Sequence, residues 1–164
     1  MTIDAQHIAV AAFVLLMAAA AFEDFRRLVI PNLLTAALCV LWPFYFASNP
    51  SLFGAIAAIG CGLAVFLVGA LLFARGFLGG GDVKLLSAAA LWAGPAGTPS
   101  LLLITGVLGG ALALFLLMPL GAAIVDMARA RLGGPASMPA AGTAVPYGIA
   151  IAGAARVVVV SPLL

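Results

Sequence analysis

The sequence predicts an all-α membrane protein, a polytopic bundle of about six transmembrane helices forming one domain over residues 1–164. Composition is the first reason: 66% of the chain is hydrophobic and only 7% is charged, too apolar for a water-soluble core of this size. Span length is the second, since several apolar runs approach the ~20 residues a helix needs to cross a hydrocarbon layer of roughly 30 Å. The third is the placing of the basic residues, which fall between the runs in a pattern of sidedness.

The first run, Ile8 to Phe22, contains Ala18-Ala19-Ala20, small residues of the kind a signal peptidase accepts. The residues ahead of it carry Asp4 and no Lys or Arg, while Arg26 and Arg27 follow it; these flanks predict a retained span rather than a signal peptide. The next spans are Leu33 to Ala47, Leu52 to Ala74, a short one from Leu85 to about Pro95, Leu101 to Val125, and Val145 to Leu164. The third and fifth are long enough alone, and the first, second and sixth reach length with their mildly polar flanks.

Sidedness tests the short fourth segment. If all six cross, Arg26, Arg27, Arg75, Lys84, Arg129 and Arg131 share one side, leaving Arg156 inside the last span; if the fourth does not cross, Arg129 and Arg131 change sides. Basic residues collect in short cytoplasmic loops. Six spans therefore follow, with both termini outside the cytoplasm, Asp24 and Asp82 near the cytoplasmic face, and the fourth segment starting below the membrane surface. Residues 129–144, rich in Gly, Pro and Ala, read as an irregular cytoplasmic loop.

The formal net charge of +2 comes from seven basic and five acidic residues scattered between apolar runs. No basic stripe results, which excludes a nucleic-acid partner and leaves the lipid bilayer as the surroundings. Cys39 and Cys61 lie inside apolar runs, outside any CxxC pair and away from His7, so neither a metal site, a cofactor nor a disulfide framework is expected.

Each of the five acidic residues can be weighed. Asp4 precedes the first span, and Asp126 follows the fifth, one helical turn from Arg129; both read as solvated ends. Glu23 adjoins Asp24, and neighbouring helical residues point about 100° apart, so one of the two at most faces the bundle interior. Spacing does not choose between them. In Glu23 to Asn32, Pro31 suits the first turn of the second helix, where a missing N–H costs nothing; taken alone, Asp24 with its arginines reads more readily as a charged cytoplasmic cap than as a catalyst. In Gly79-Gly80-Gly81-Asp82-Val83-Lys84, the glycines give conformational freedom and allow close approach, and Asp82 suits the N-cap of the fourth helix. Cap and catalyst are even alternatives there. Two carboxylates on one membrane face in so uncharged a chain are expensive and usually functional.

Together these motifs resemble the type IV prepilin peptidases, a group of GxGD-type membrane aspartyl proteases. An aspartate followed by a short basic stretch and Ile-Pro-Asn is present as Asp24 through Asn32, and GxGD followed by Val-Lys as Gly79 through Lys84. Val145-Pro146-Tyr147-Gly148 is similar to the start of the family's closing helix. The resemblance covers essentially the whole chain and selects Asp24 over Glu23. It implies a single transmembrane peptidase domain in the bacterial inner membrane that cuts the leader from a prepilin-like substrate, with Asp24 and Asp82 catalytic and Gly79, Gly81, Lys84, Pro31 and Asn32 binding substrate or supporting the site. The insertion with paired cysteines that accompanies methyltransferase activity in longer relatives is missing, so the chain resembles the short form serving Flp-type (tight-adherence) pili.

Helix ends suggest a division of labour. Asp24 at a C-terminal end meets the negative pole of its helix and Asp82 at an N-terminal end the positive pole, which makes Asp82 the resting base and Asp24 the proton-bearing partner. The competing readings are another GxGD peptidase of the signal-peptide-peptidase kind, whose Tyr-Asp pair is Glu23-Asp24 here, a small transporter binding ions or protons at the paired aspartates, and a noncatalytic secretion-system subunit.

Overall fold

The computed structural model describes residues 5–47, 51–134 and 144–160. They form a membrane helix bundle of six helices in order: α1 (Ala5–Arg27), α2 (Asn32–Phe46), α3 (Leu52–Ala74), α4 (Gly80–Leu117), α5 (Pro119–Arg131) and α6 (Tyr147–Val160). α1 from Gln6, α3 and α4 are long and apolar enough to cross a membrane, while α2 and α6 are shorter apolar helices. Large side chains such as Leu33, Leu52, Phe53 and Phe77 face outward. In water so much exposed apolar surface would drive aggregation; against lipid tails it carries no such cost.

Helices and expected spans do not correspond one to one. The fourth and fifth spans are two arms of α4, residues 80–93 and 95–117, which meet at Gly94 with φ 61° and ψ −172°. That backbone region is essentially closed to residues with a Cβ. Pro95 then opens the second arm, where a helix start tolerates its missing N–H, and Thr98 Oγ1 donates to the Gly94 carbonyl at 2.6 Å. The expected fifth span also ends early. Met118 is extended and Pro119 begins α5, a turn tight enough that a Cβ on Gly121 would collide with the Phe115 carbonyl.

Neighbours fix the direction of each arm. α3 packs antiparallel to the first arm, with Gly69 against Val83 and Gly62 against Ser87 and Leu91. α6 packs antiparallel to the second, with Gly109 against Tyr147 and Gly97 against Val158. The chain therefore runs away from the Asp82 end, reverses at Gly94 and returns. The first arm is the centre of the bundle: Val83, Leu85, Ala88, Ala89, Ala90 and Trp92 are all buried. Its far end is fixed by Trp92, which lies 4.5 Å from the Phe13 ring and 4.9 Å from Tyr45 by centroid and donates its indole N–H to the Leu38 carbonyl at 2.9 Å.

α5 does not belong to the spanning set. It turns back under the bundle, where Leu116 and Val125 form a small second core with Phe25 and Val145. Arg26 and Arg27 end α1, Arg75 caps α3, Lys84 starts α4 and Arg129 and Arg131 end α5, so these cations gather at the end of the bundle that holds the two aspartates. Arg156 lies exposed on α6, toward the opposite end. Asp4 falls outside the described residues, as do positions 135–143 of the expected loop.

Candidate active site

The first aspartate is positioned by the way α1 stops. Asp24 lies in the last turn, and the Leu28 N–H closes the helix on its carbonyl at 2.8 Å. Leu28 then adopts φ 53°, a left-handed conformation uncommon outside glycine and costly for a branched side chain. The chain turns there into Pro31, which is the N-cap of α2 rather than part of its first turn, and Asn32 is the first helical residue. Within this turn Ile30 is buried and packs on Gly81, where a Cβ would come within 3.2 Å of the Ile30 Cβ. The two sequence motifs are thereby pressed together.

Asp24 is 5% exposed, and its Oδ2 accepts the Gly148 backbone N–H at 2.7 Å. Glu23 instead pairs with Arg27 at 3.4 Å on the outer side of α1. The choice that spacing left open is made by burial.

Asp82 is not the N-cap of α4. Gly79 occupies that position and Asp82 is the third helical residue, from which its carboxyl reaches back to the Gly79 backbone in the manner of the acidic half of a capping box. The three glycines are needed for space more than for unusual dihedrals, since positive φ among the described glycines occurs at Gly76, Gly94 and Gly133 and at none of the three. A Cβ on Gly79 would sit 2.7 Å from Asp82 Oδ2, and one on Gly80 3.3 Å from the Phe73 ring.

Asp82 is 9% exposed and lies within reach of the Asp24 charge. Two carboxylates removed from water at one end of an apolar bundle cost several kcal/mol each unless compensated. The helix-end asymmetry does not survive this geometry. Gly148 is the second residue of α6, so Asp24 meets the amide end of a neighbouring helix just as Asp82 meets that of its own, and helix ends no longer distinguish base from acid.

Lys84 and Asn32 also come together, Nζ donating to Oδ1 at 2.9 Å. They clip α4 to α2 but face away from the dyad: Lys84 is two residues from Asp82, about 200° around the helix. On their side lies a cavity of about 480 Å³ lined by Asn32, Thr35, Cys39, Gly62, Lys84 and Ser87 among others, between α2 and α3, which scarcely touch each other.

One residue escaped the sequence reading. Arg129, expected to meet Asp126 at a solvated helix end, lies 4.0 Å from it but is only 4% exposed. Its Nε donates to the Phe25 carbonyl at 2.9 Å, its guanidinium lies 5.7 Å from the Phe25 ring centroid, and its charge reaches Asp24. Burial holds this guanidinium below its ordinary pKa, with Asp126 and then Asp24 opposing. The available signal was a stripe at Ala122, Val125 and Arg129, spaced as one helix face.

Among the described residues no cluster of His, Cys, Asp and Glu could hold a metal ion. The arrangement offers two buried carboxyl groups at one end of an apolar bundle, Asp24 held by the Gly148 N–H and Asp82 by the Gly79 backbone. The profile of the type IV leader peptidase family matches residues 11–114, a stretch from α1 through most of α4 that includes both aspartates. No curated protein and no solved structure matches the chain.

Proposed function

The chain belongs to the type IV leader peptidase family, and from that premise we propose that it is an aspartic endopeptidase removing the leader from type IV prepilin-like substrates of the Flp kind. The observation that carries the proposal is the burial of both Asp24 and Asp82 at the same end of an apolar bundle, where Ile30 of one motif packs on Gly81 of the other. One carboxylate accepts a proton from a water lying between them, and the other, protonated because like charges this close do not both ionise readily, hydrogen-bonds the scissile carbonyl. Gly148 and Gly79 fix the carboxyl groups through backbone contacts, while Gly81, Pro31, Asn32 and Lys84 hold the α1–α2 turn and the α4 start in register.

The gathering of Arg26, Arg27, Arg75, Lys84, Arg129 and Arg131 at the dyad end supports placing that end at the cytoplasmic face of the bacterial inner membrane, with both termini on the other side. A substrate with a leader in the cytosol and an apolar helix in the bilayer then presents its junction at the level of the dyad.

The test is cleavage of an Flp-type prepilin by the full-length protein in liposomes. Asp24→Ala and Asp82→Ala are each expected to abolish it without unfolding the protein; activity surviving either change refutes the dyad. A transporter or a noncatalytic secretion subunit would leave the prepilin intact in every variant.

A further inference from the structure

Arg129 is 4% exposed, yet among the described residues only one of its three guanidinium nitrogens makes a hydrogen bond. Nε is spent on the Phe25 carbonyl, next in sequence to Asp24. Nη1 and Nη2 are buried and, among the described residues, have no hydrogen-bond partner. Asp126 approaches Nη1 only at 4.0 Å and is 45% exposed, too loose and too wet to neutralise a buried cation. Asp24 feels the charge but makes no ion pair with it within 4.0 Å among the described residues.

A buried cation left with one long, half-exposed ion pair among the described residues is costly for a protein to retain. A clamp between α5 and α1 uses only the Nε bond to Phe25 beside the Leu116–Val125 core, and leaves Nη1 and Nη2 without a hydrogen bond among the described residues. The Nε bond and the Phe25 ring hold the guanidinium in a fixed orientation, leaving two parallel donors, the fork that matches an oxyanion or a carboxylate.

Resting on the peptidase reading above, we propose that Arg129 is the anion-binding group of the site. Its Nη1 and Nη2 receive the oxygen that becomes charged during cleavage and then the carboxylate left on the leader. Water adds its oxygen to the scissile carbon and gives a proton to the basic carboxylate, while the C=O π electrons move onto the carbonyl oxygen, which becomes the anion facing Arg129. As the C–N bond breaks, the carbonyl re-forms and the leaving amine takes a proton from the aspartate pair, while the new carboxylic acid gives its proton to that amine and remains as a carboxylate against the guanidinium. The neutral substrate carbonyl gains less from Arg129 than the oxyanion does, so the interaction accelerates the step rather than only tightening binding.

The experiment compares full-length wild type, Arg129→Gln and Arg129→Lys in liposomes, by turnover and by direct binding. The binding probes are two synthetic Flp-type leader peptides, one ending in a free carboxylate and one in an amide. Wild type is expected to prefer the carboxylate form by at least about tenfold, as a charge-assisted bidentate contact requires. Arg129→Gln should reduce that ratio to near unity and lower kcat by about 100-fold or more with a much smaller change in KM. Arg129→Lys, which keeps the charge without the fork, should fall between them; it decides the matter if the Gln variant fails to fold. An undiminished carboxylate preference, or wild-type kcat, in a folded variant overturns the proposal. Failure of the wild type to cleave prepilin would instead refute the function, which the peptide-binding ratio does not measure.

Discussion

Gly148→Ala tests the contact that couples α6 to the dyad. A Cβ built at Gly148 lies 2.9 Å from both the Asp24 Cβ and Oδ2 and 3.1 Å from Cγ. Ordinary contact distances are about 3.5–4.0 Å, so relief takes a displacement of roughly 0.6–1 Å. Rotating the Asp24 side chain is not enough, because its Cβ is fixed to the α1 backbone; the two helices must part. The 2.7 Å bond from the Gly148 N–H is then stretched beyond useful length. Overpacking of this kind costs about 1–3 kcal/mol, and loss of a hydrogen bond to a charged group adds about 1.5–3 kcal/mol wherever that group stays ionised. A carboxyl group displaced by about 1 Å is expected to lower turnover by about 100-fold. Prepilin cleavage in liposomes and thermal unfolding in detergent, run on the same preparation, read the two effects separately. A variant that cleaves within about twofold of wild type, a difference of less than 0.5 kcal/mol in barrier, refutes the role assigned to this contact.

Gly94→Ala should destabilise the protein by about 1–3 kcal/mol through backbone strain alone, since nothing lies within 4 Å of a Cβ there; an unchanged unfolding temperature would show that the α4 reversal does not depend on that conformation. Trp92→Phe keeps much of the stacking on Phe13 and Tyr45 but removes the donor to Leu38, and should cost about 1 kcal/mol in thermal stability while leaving cleavage intact. Lys84→Met breaks the bond to Asn32 on the face turned from Asp82. It should change kcat/KM by less than about fivefold, equivalent to an exposed polar contact of at most about 1 kcal/mol; a larger fall would show that Lys84 reaches the substrate.

The sequence made some of these features plain and hid others for physical reasons. Composition and run length were enough for the membrane bundle, and two short motifs located Asp24 and Asp82, because each motif is contiguous and its residue types are scarce elsewhere in the chain. The division of α4 was harder. Gly94-Pro95 marks a break, but a break does not say whether the chain reverses, and the reversal follows from packing of α3 and α6 against opposite arms. The cap of α4 was misplaced by three residues because Asp82 satisfies the helix start from the third position instead of the first. Arg129 was hidden most thoroughly. Its burial depends on Phe25, 104 positions away, and on the fold-back of α5, neither of which leaves a local mark, so an arginine near a helix end looked like a solvated one.

The Gly148 contact also has a consequence for biogenesis. Asp24 and its donor are separated by 124 positions, and Arg129 too comes after both aspartates. A nascent chain inserted as far as the end of α4 carries the complete acidic pair but neither the amide that orients Asp24 nor the buried cation beside it. Those arrive with α5 and α6, which are synthesised after both aspartates. On the peptidase reading, a chain made only as far as α4 therefore holds both carboxyl groups before the contacts that orient them exist, and the order of the helices delays competence to cut until α5 and α6 have joined the bundle.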